Sequence, residues 1–527
     1  MVDARPDPRH GGPRGRDPRL SGGDSHARRL ATGTLVSQVA QATQVVGALV
    51  VATVLGRELT LQEFGVYGLT LSFVGYLGFV QSSVSGTAVK SLAEALDERT
   101  RARALTSAVV LYAGFGLIAA LIIAGAGTAA LGLFDVHGAL RGQARHGFLA
   151  LGVVTLVGWP LRAWRDLLVA DQRFMVSALA DTIVYVLWAA AITVLALVAH
   201  VDLWILILVT GLTPLVSGLL YLLLARRHRL QYRIRPSAVD RAYFRGFAAI
   251  SAYSLGLGAV DIVIYSLDRV VLAAFTGAAA IGLYEAAVRP HNLVRTLNSS
   301  LVVTVLPASA RFLAEGDRER VRELVLRGGR YVVAATVPFV LVFMVLARPI
   351  LEVWVGSKFA PAATAMTVLI SYWIMNASLG PAAVALFAAG KAREIAILAW
   401  ATALINLAVS LALTPSMGLN GVVIGTVAGY ALTFVPWLRF TTRFLPVTYR
   451  DYWREIVLPP LALGVPLAAA LLIVRVAIPL ENVAVVASVA VGAVALYFVA
   501  YWAFAMDANE RALARSLVRP ASGSAEG

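Results

Sequence analysis

The sequence contains no cysteine and few charged residues. Of its 527 residues, 14% are Asp, Glu, Lys or Arg and 59% are hydrophobic, whereas a soluble protein carries about 25% charged residues. Without cysteine there are no disulfides, iron–sulfur clusters or thiol nucleophiles. The sequence also lacks HExxH, GxxxxGK[ST] and EF-hand patterns, so neither metal-dependent hydrolysis nor a built-in ATPase is supported.

What the sequence does have is long apolar runs such as ILILVTGLTPLVSGLLYLLLA. About 20 apolar residues cross a bilayer as a helix. We therefore predict an all-α polytopic membrane protein with about 14 transmembrane helices. The predicted spans lie at about 31–55, 65–87, 105–133, 147–170, 174–199, 203–225, 247–275, 281–306, 331–353, 362–388, 395–414, 421–441, 456–478 and 483–506.

The distribution of positive charge predicts the orientation of these spans. The net charge is +15, and 36 of the 45 Lys and Arg residues fall in alternate segments beginning with the N-terminal tail, against five in the intervening segments. Cytoplasmic loops of membrane proteins carry such an excess. Both termini are therefore predicted to be cytoplasmic, in an inner membrane, and the charge does not require a nucleic-acid partner.

The two halves of the chain carry a similar motif at the start of a span. Phe64-Gly65-Val66-Tyr67 leads into span 2, and Ile281-Gly282-Leu283-Tyr284 leads into span 8. Because six spans separate the copies, they have the same orientation, as parallel repeats do, and transporters built from repeats bind substrate between them. The predicted divisions are a disordered tail at 1–29, lobes at 30–228 and 229–445, two extra helices at 446–507 and a tail at 508–527.

Four stretches resemble a known family: FGVYGL, SLDRVVLAAFTGAAAIGLYEAA, LPASARFLAEGD and GKAREIAILAWATALINLAVSLALTPSMGLNGVVIGT. They are similar to the polysaccharide-flippase branch of the multidrug/oligosaccharidyl-lipid/polysaccharide exporter superfamily, over roughly residues 30–506. The resemblance implies two six-helix lobes around a central cavity, with two extra C-terminal helices. It also implies flipping of undecaprenyl-pyrophosphate-linked oligosaccharides from the cytoplasmic to the outer leaflet.

Ionisable residues cluster around the hairpin between spans 7 and 8. A charge at mid-bilayer costs at least about 2.5–3.5 kcal/mol, so such residues face a partner or a wet cavity. Asp261 and Asp268 are seven apart and share one face of span 7, while Glu285 and Arg289 are spaced to pair on span 8. Structural ion pairs are the alternative, above all for Arg269 and Glu285.

Further polar residues predict a lining for a cavity. Asn292 and Arg295 continue the Arg289 face of span 8. The first half offers a glutamine stripe on span 1 and polar residues at the end of span 2, although some polar residues serve only as contacts between helices. These first-half candidates are Gln38, Gln41, Gln44, Gln81 and Lys90.

These residues predict roles in transport of a lipid pyrophosphate. Arg289, Arg295 and Lys90 would bind the pyrophosphate through charge-assisted hydrogen bonds, and the Gln and Asn side chains would contact the sugar. Asp261 and Asp268 are the candidates for coupling to an ion gradient. We predict no enzyme activity and no cofactor. We also predict no metal site, because the histidines show no ligand spacing.

Three alternatives remain open at this stage. A lipid II flippase would move a similar substrate, and a drug/cation antiporter of the same fold would need an acidic, aromatic cavity. A membrane-embedded polysaccharide polymerase or ligase is more distant, since the longest outside loop is only about a dozen residues, FDVHGALRGQARH. Membrane lipid, polymerase and glycosyltransferases of a polysaccharide pathway are the expected partners.

Overall fold

The computed structural model describes residues 40, 43–132, 136–198, 202–230, 234, 241–303, 305–508 and 510–512, of which 76, 77, 126, 130 and 253–266 have only their backbone described. The predicted tail 1–29 and most of 508–527 lie outside these residues. In the described part of the chain all regular structure is helical and no strand occurs. The all-α class predicted from the apolar runs is confirmed.

We number the α-helices in chain order. The first half contains α1 (43–58), α2 (Leu61–Glu94), α3 (Glu98–Leu121), α4 (Gly127–Ala130), α5 (Gly138–Gly158), α6 (Ala163–Ala170), α7 (Phe174–Val198) and α8 (Leu203–Arg227). The second half contains α9 (Arg241–Thr276), α10 (Ala278–Val302), α11 (Val305–Ala314), α12 (Arg318–Val345), α13 (Ala347–Trp354), α14 (Ala363–Ser371), α15 (Trp373–Ala388), α16 (Ala392–Met417) and α17 (Leu419–Phe444). The chain continues through α18 (Tyr449–Asp451), α19 (Leu458–Ala477) and α20 (Val483–Ala500).

Eleven helices within the described residues are long and apolar enough to cross a membrane, and the bent pair Gly138–Gly158 and Pro160–Ala170 makes a twelfth. The pair bends by 40° beside Pro160, where proline lacks the N–H that a continuous helix needs. Helices α1 and α9 occupy the positions of predicted spans 1 and 7 but are not among the eleven helices counted as long and apolar enough to cross a membrane. The chain is thus polytopic, and the count of fourteen stays a prediction.

Local sequence signals begin the two helices that carry the repeated motif. The Thr60 hydroxyl accepts from the Glu63 N–H, and the Glu63 carboxylate accepts from the Thr60 N–H at 2.8 Å, which is a capping box at the start of α2. Gly277 separates α9 from α10 with a φ of +80°, a conformation that glycine adopts without steric cost. Each motif therefore begins a helix just after a turn.

Helices α2 and α10 cross at the glycines of the two motifs. A β-carbon on Gly65 would collide with the carbonyl oxygen of Ala278, and one on Gly282 would collide with the carbonyl oxygen of Leu61. Only glycine allows backbones this close. The two copies of the motif thus contact each other at equivalent positions, as the predicted parallel repeat requires.

The tyrosines of the motif form related hydrogen bonds in the two halves. Tyr67 shares a hydrogen bond of 2.9 Å with Thr210 of α8. Tyr284 donates at 2.8 Å to Asp268, which also accepts at 3.2 Å from Thr426 of α17. Helices α8 and α17 are the sixth and twelfth predicted spans. Tyr67 is therefore hydrogen-bonded to the last helix of the first half directly, and Tyr284 to the last helix of the second half through Asp268.

The last two long helices pack on the second half. Helices α19 and α20 both contact α12, and the Tyr331 hydroxyl donates at 2.7 Å to Glu510 beyond them. Arg475 of α19 donates at 3.0 Å to the carbonyl oxygen of Val345, in keeping with a structural role. The lobe boundaries at 228 and 445 stay a prediction.

Candidate functional site

A polar cavity of about 310 Å³ lies between α2 and α10, beyond the glycine crossing. Its lining comes from the two helices that carry the repeat, with one residue added from α9. The lining residues are Leu71, Ser72, Gly75, Phe79, Arg269, Glu285, Arg289, Asn292 and Arg295. Of the predicted substrate-binding residues, the structure therefore brings Arg289, Asn292 and Arg295 to one cavity.

The two halves contribute unequally to this cavity. On α2 the lining side chains are small or uncharged, whereas α9 and α10 supply three arginines and one glutamate. Ser72 and Arg289 stand at equivalent positions of the repeat, as do Gly75 and Asn292. The first half therefore provides space and the second half provides charge.

Glu285 forms its ion pair with Arg269 and not with Arg289, the partner that helical spacing allowed. The Arg269 Nε lies 2.5 Å from the Glu285 Oε1, and the side chains are only 13% and 5% exposed. Arg269 lies one residue after Asp268 and projects toward α10 from the neighbouring helix. This ion pair spans the hairpin, which is the structural role considered for these two residues.

Arg289 is a partly buried cation at the boundary of two cavities. Its guanidinium lies 5.6 Å from the centre of the Phe64 ring, and its buried Nε has no hydrogen-bond partner in the described chain. Besides the polar cavity it borders an apolar one of about 210 Å³. The apolar cavity is lined by Leu49, Arg289, Pro290, Leu293, Phe343, Ile350 and Trp354.

The other predicted substrate-binding residues do not line the polar cavity. Gln38 and Gln41 lie outside the described residues, and Gln44 is partly buried on α1. Gln81 is partly buried on α2, where its carbonyl oxygen accepts from Tyr112 at 3.4 Å. Lys90 is 67% exposed and pairs with Glu94 at 3.9 Å. At 1.5 Å per residue, Lys90 is roughly 20 Å along α2 from the cavity.

Asp268, predicted to act in coupling, lies in a buried group of oxygen atoms behind the cavity. Its carboxylate accepts from Tyr284 and Thr426. Thr426 Oγ1 is 3.5 Å from Asn406 Oδ1, which accepts from Ser410 at 3.0 Å. The Ser410 hydroxyl also donates at 3.3 Å to the carbonyl oxygen of Val422. Two hydroxyl groups, from α10 and α17, thus contact the carboxylate directly, and the Asn406 and Ser410 side chains of α16 are joined to it through Thr426.

The second predicted coupling residue, Asp261, has no described side chain. Searched over the described residues, the structure contains no cluster of three or more His, Cys, Asp or Glu side chains that would hold a metal ion. His291 instead contacts Tyr372, with 2.5 Å between its Nε2 and the hydroxyl oxygen.

Asp166 is a buried acid that the sequence reasoning missed. It is 0% exposed and accepts from Ser85 at 2.5 Å and from Tyr112 at 2.7 Å. The residue lies near the end of the predicted span 147–170, between Arg165 and Leu167, and it was not among the candidate site residues. An acidic residue within a predicted span was the available signal. Nearby, Asp181 accepts from Tyr221 and Arg165.

Several contacts join the two halves at one end of the cavity region. Arg57 donates at 2.7 Å to the carbonyl oxygen of Val353, and Lys358 donates at 2.5 Å to that of Leu59. The rings of Phe64 and Phe359 pack edge to face with 5.2 Å between their centres. These contacts lie at the end of the helices that the charge pattern predicts to be outside.

The fold is that of known exporters and flippases. A solved structure titled "Lipid II flippase MurJ, inward closed conformation" covers 92% of this chain and 100% of its own, with a TM-score of 0.69 and 12% identity. An inward-facing multidrug resistance MATE family transporter of the MOP superfamily covers 76% of this chain and 94% of its own, with a TM-score of 0.63 and 13% identity. A MOP superfamily transporter from Pyrococcus furiosus covers 79% of this chain and 94% of its own, with a TM-score of 0.52 and 14% identity.

The sequence assigns the chain to a family within this fold. The model of the family described as "Polysaccharide biosynthesis protein" matches residues 54–364, more than half of the chain. The chain belongs to that family, and the resemblance to the polysaccharide branch of the exporter superfamily is confirmed. No curated protein matches the sequence.

Proposed function

We propose that this protein flips undecaprenyl-pyrophosphate-linked oligosaccharide repeat units across the cytoplasmic membrane for O-antigen or exopolysaccharide synthesis. One observation carries the proposal. Among the described residues, the cavity between the halves is lined by Arg269, Arg289 and Arg295 and by one carboxylate, that of Glu285. A positively charged cavity inside a membrane protein fits an anionic ligand. A guanidinium group can donate two parallel hydrogen bonds to the oxygens of one phosphate.

The apolar cavity on the other side of Arg289 fits the lipid part of this substrate. A polyprenyl pyrophosphate has its charge next to a hydrocarbon chain. Arg289 touches both the polar cavity and the apolar one, so a phosphate on Arg289 would leave the first isoprene units among Leu293, Phe343 and Trp354. The rest of the tail would remain in the lipid.

The contacts that join the halves at one end support transport by alternating access. With the predicted orientation, the bonds of Arg57 and Lys358 seal the outside, and substrate enters from the cytoplasmic side. Opening outward requires these bonds to break and the α2–α10 crossing to separate. Rocking of two halves about a central site is the usual mode of repeat-built transporters.

Asp268 is the proposed coupling residue, together with Asp261. Its carboxylate can take up a proton, or a Na⁺ ion that shares the oxygens of Asn406 and Thr426. Hard cations such as Na⁺ bind oxygen ligands of this kind. Because Tyr284 joins Asp268 to α10, occupancy at Asp268 acts on the helix that carries Arg289.

The alternatives predict different ligands. A drug/cation antiporter would bind a cation where three arginines lie, which the charge disfavours. A lipid II flippase would use the same phosphate chemistry, and membership of the polysaccharide biosynthesis family favours the oligosaccharide lipid. The same proposal includes an inner-membrane location, cytoplasmic termini, the absence of enzyme activity, and a polymerase and glycosyltransferases as partners.

The proposal is tested in cells that lack the protein. Labelled lipid-linked repeat units should accumulate in the cytoplasmic leaflet, and the wild-type chain should restore their export. Arg289→Ala should not restore it at equal protein abundance. Normal export in cells without the protein, or full rescue by Arg289→Ala, would contradict the proposal.

A chemical test addresses the cavity itself, because the chain is free of cysteine. A cysteine at Asn292, which lines the cavity, should react with a small water-soluble thiol reagent. A cysteine at Leu272, which is 0% exposed, should not. Equal inertness at both positions would mean that the cavity is closed to water.

A further inference from the structure

Glu285 holds an unusual place among the residues around the cavity. Within the described part of the lining it is the one acidic side chain. Its carboxylate neutralises Arg269 through the 2.5 Å ion pair. An anion that binds to the arginines of this cavity therefore meets a carboxylate already present, and two anions in one low-dielectric site repel each other.

Glu285 also contacts the opposite half of the protein. A β-carbon on Gly68 would collide with the Glu285 Cγ and would lie 2.8 Å from its Cδ and 3.2 Å from its Oε1. The side chain thus fills a notch that exists because residue 68 has no side chain. Gly68 lies one turn from Gly65, so this contact is adjacent to the crossing of α2 and α10.

The repeat places this contact at the axis between the halves. Gly68 and Glu285 are equivalent positions, separated by the same interval as Gly65 and Gly282. One half thus provides a notch where the other half provides a carboxylate. A movement that separates the halves changes the surroundings of Glu285, and a movement of Glu285 changes how closely the halves pack.

We propose that Glu285 is a built-in competitor of the substrate phosphate, and that its displacement from Arg269 loosens the crossing of α2 and α10. Without ligand, Glu285 neutralises Arg269 and fills the notch at Gly68. An entering phosphate takes Arg269, and the freed carboxylate leaves the notch because it is repelled by the phosphate. This inference rests on the proposed function, since pyrophosphate is the ligand.

The first test measures affinity with the full-length chain in lipid nanodiscs. The probes are inorganic pyrophosphate and undecaprenyl pyrophosphate. Glu285→Gln keeps the shape of the side chain but removes its charge, and it should bind both probes about tenfold more tightly. The control Glu315→Gln removes the acid of the exposed ion pair with Arg311 and should leave both affinities unchanged.

A purely structural ion pair predicts the opposite sign, because losing Glu285 would then disorder the site and weaken binding. Unchanged or weaker binding by folded Glu285→Gln, with binding intact in the wild type, overturns this inference alone. A gain with the lipid probe only would also overturn it, since phosphate would not be the competing group. No binding of either probe by any variant overturns the proposed function as well.

A double-mutant comparison guards against misfolding of one variant. In an Arg269→Gln background the cation shared by the two anions is absent, and only the repulsion between Glu285 and a phosphate held by Arg289 and Arg295 remains. Glu285→Gln should therefore raise pyrophosphate affinity clearly less than tenfold in that background. A tenfold gain that persists without Arg269 would contradict the competition.

The second test measures the separation of the halves. Spin labels on cysteines at Glu58 and Ser357, exposed positions on opposite sides of the closed end, report their distance. Pyrophosphate should increase the population of longer distances in the wild type, and this increase should be much smaller in Glu285→Gln. An equal increase in both proteins would show that the crossing opens without Glu285.

Discussion

Replacing Arg289 with alanine should abolish substrate binding while leaving the protein folded. In the described chain Arg289 contacts the Phe64 ring, and its Nε has no hydrogen-bond partner, so removing the side chain costs folding about 1–2 kcal/mol. A bound phosphate would lose two charge-assisted hydrogen bonds, each contributing about 1.5–3 kcal/mol. The loss of about 3 kcal/mol or more corresponds to at least a hundredfold weaker binding.

The assay is the affinity of the purified chain in nanodiscs for undecaprenyl pyrophosphate, with the melting temperature measured on the same samples. Arg289→Lys keeps the charge but loses the paired geometry of the guanidinium, so we expect about a tenfold loss. Arg475→Ala, which removes an arginine bonded to a carbonyl oxygen outside the cavity, is the control and should bind normally. Unchanged affinity of folded Arg289→Ala would refute the assignment of the phosphate site.

Three further predictions concern the fold, the coupling and the orientation. Gly65→Ala should reduce the yield of folded protein severely, because the new β-carbon meets backbone atoms that cannot move aside. The control Gly78→Ala, on the same helix, places its β-carbon where nothing lies within 4 Å, and it should fold normally. Asp268→Asn keeps the shape and removes the charge, so it should slow transport in a reconstituted assay more than it weakens substrate binding; equal losses of both would contradict coupling. Reporter fusions after Ser416 should report outside and those after Arg229 cytoplasm, and an outside signal at Arg229 would overturn the predicted orientation.

The class of the protein and part of its site followed from the sequence for one physical reason. An apolar run long enough to cross a bilayer forces its backbone to be helical, and a charge within such a run is costly enough to need a cavity or a partner. Arg289 and Arg295 meet both conditions, and the structure brings them to one cavity. Helical spacing also placed Asn292 on the same face.

Contacts between helices were not predictable from spacing within one helix. Glu285 and Arg289 lie one turn apart, yet Glu285 pairs with Arg269 from α9, because the hairpin brings that guanidinium closer. Gly68 looked like an ordinary helical glycine, and its role as a notch depends on a crossing that only the folded chain defines. Neither relation leaves a pattern in the sequence of either helix alone.

The depth of a residue within the membrane was also not predictable from the sequence. Lys90 was grouped with the arginines because it follows a polar stretch of α2, but the helix carries it roughly 20 Å beyond the cavity, to an exposed ion pair. Asp166 lies near the end of the predicted span 147–170 and was not considered as a candidate, yet it is fully buried. Sequence gives the face of a helix more readily than the height of a residue along it.

The most direct test of the central claim is translocation by the purified chain in proteoliposomes. A fluorescent lipid-linked pyrophosphate oligosaccharide is placed in both leaflets, and an impermeant reductant bleaches the molecules that reach the outer one. We predict that vesicles with the wild-type chain bleach well beyond the outer-leaflet half, whereas vesicles with Arg289→Ala stop near half, as protein-free vesicles do. Equal bleaching by the wild type and Arg289→Ala, or none above protein-free vesicles, would contradict the claim that this arginine-lined cavity carries the lipid pyrophosphate across the membrane.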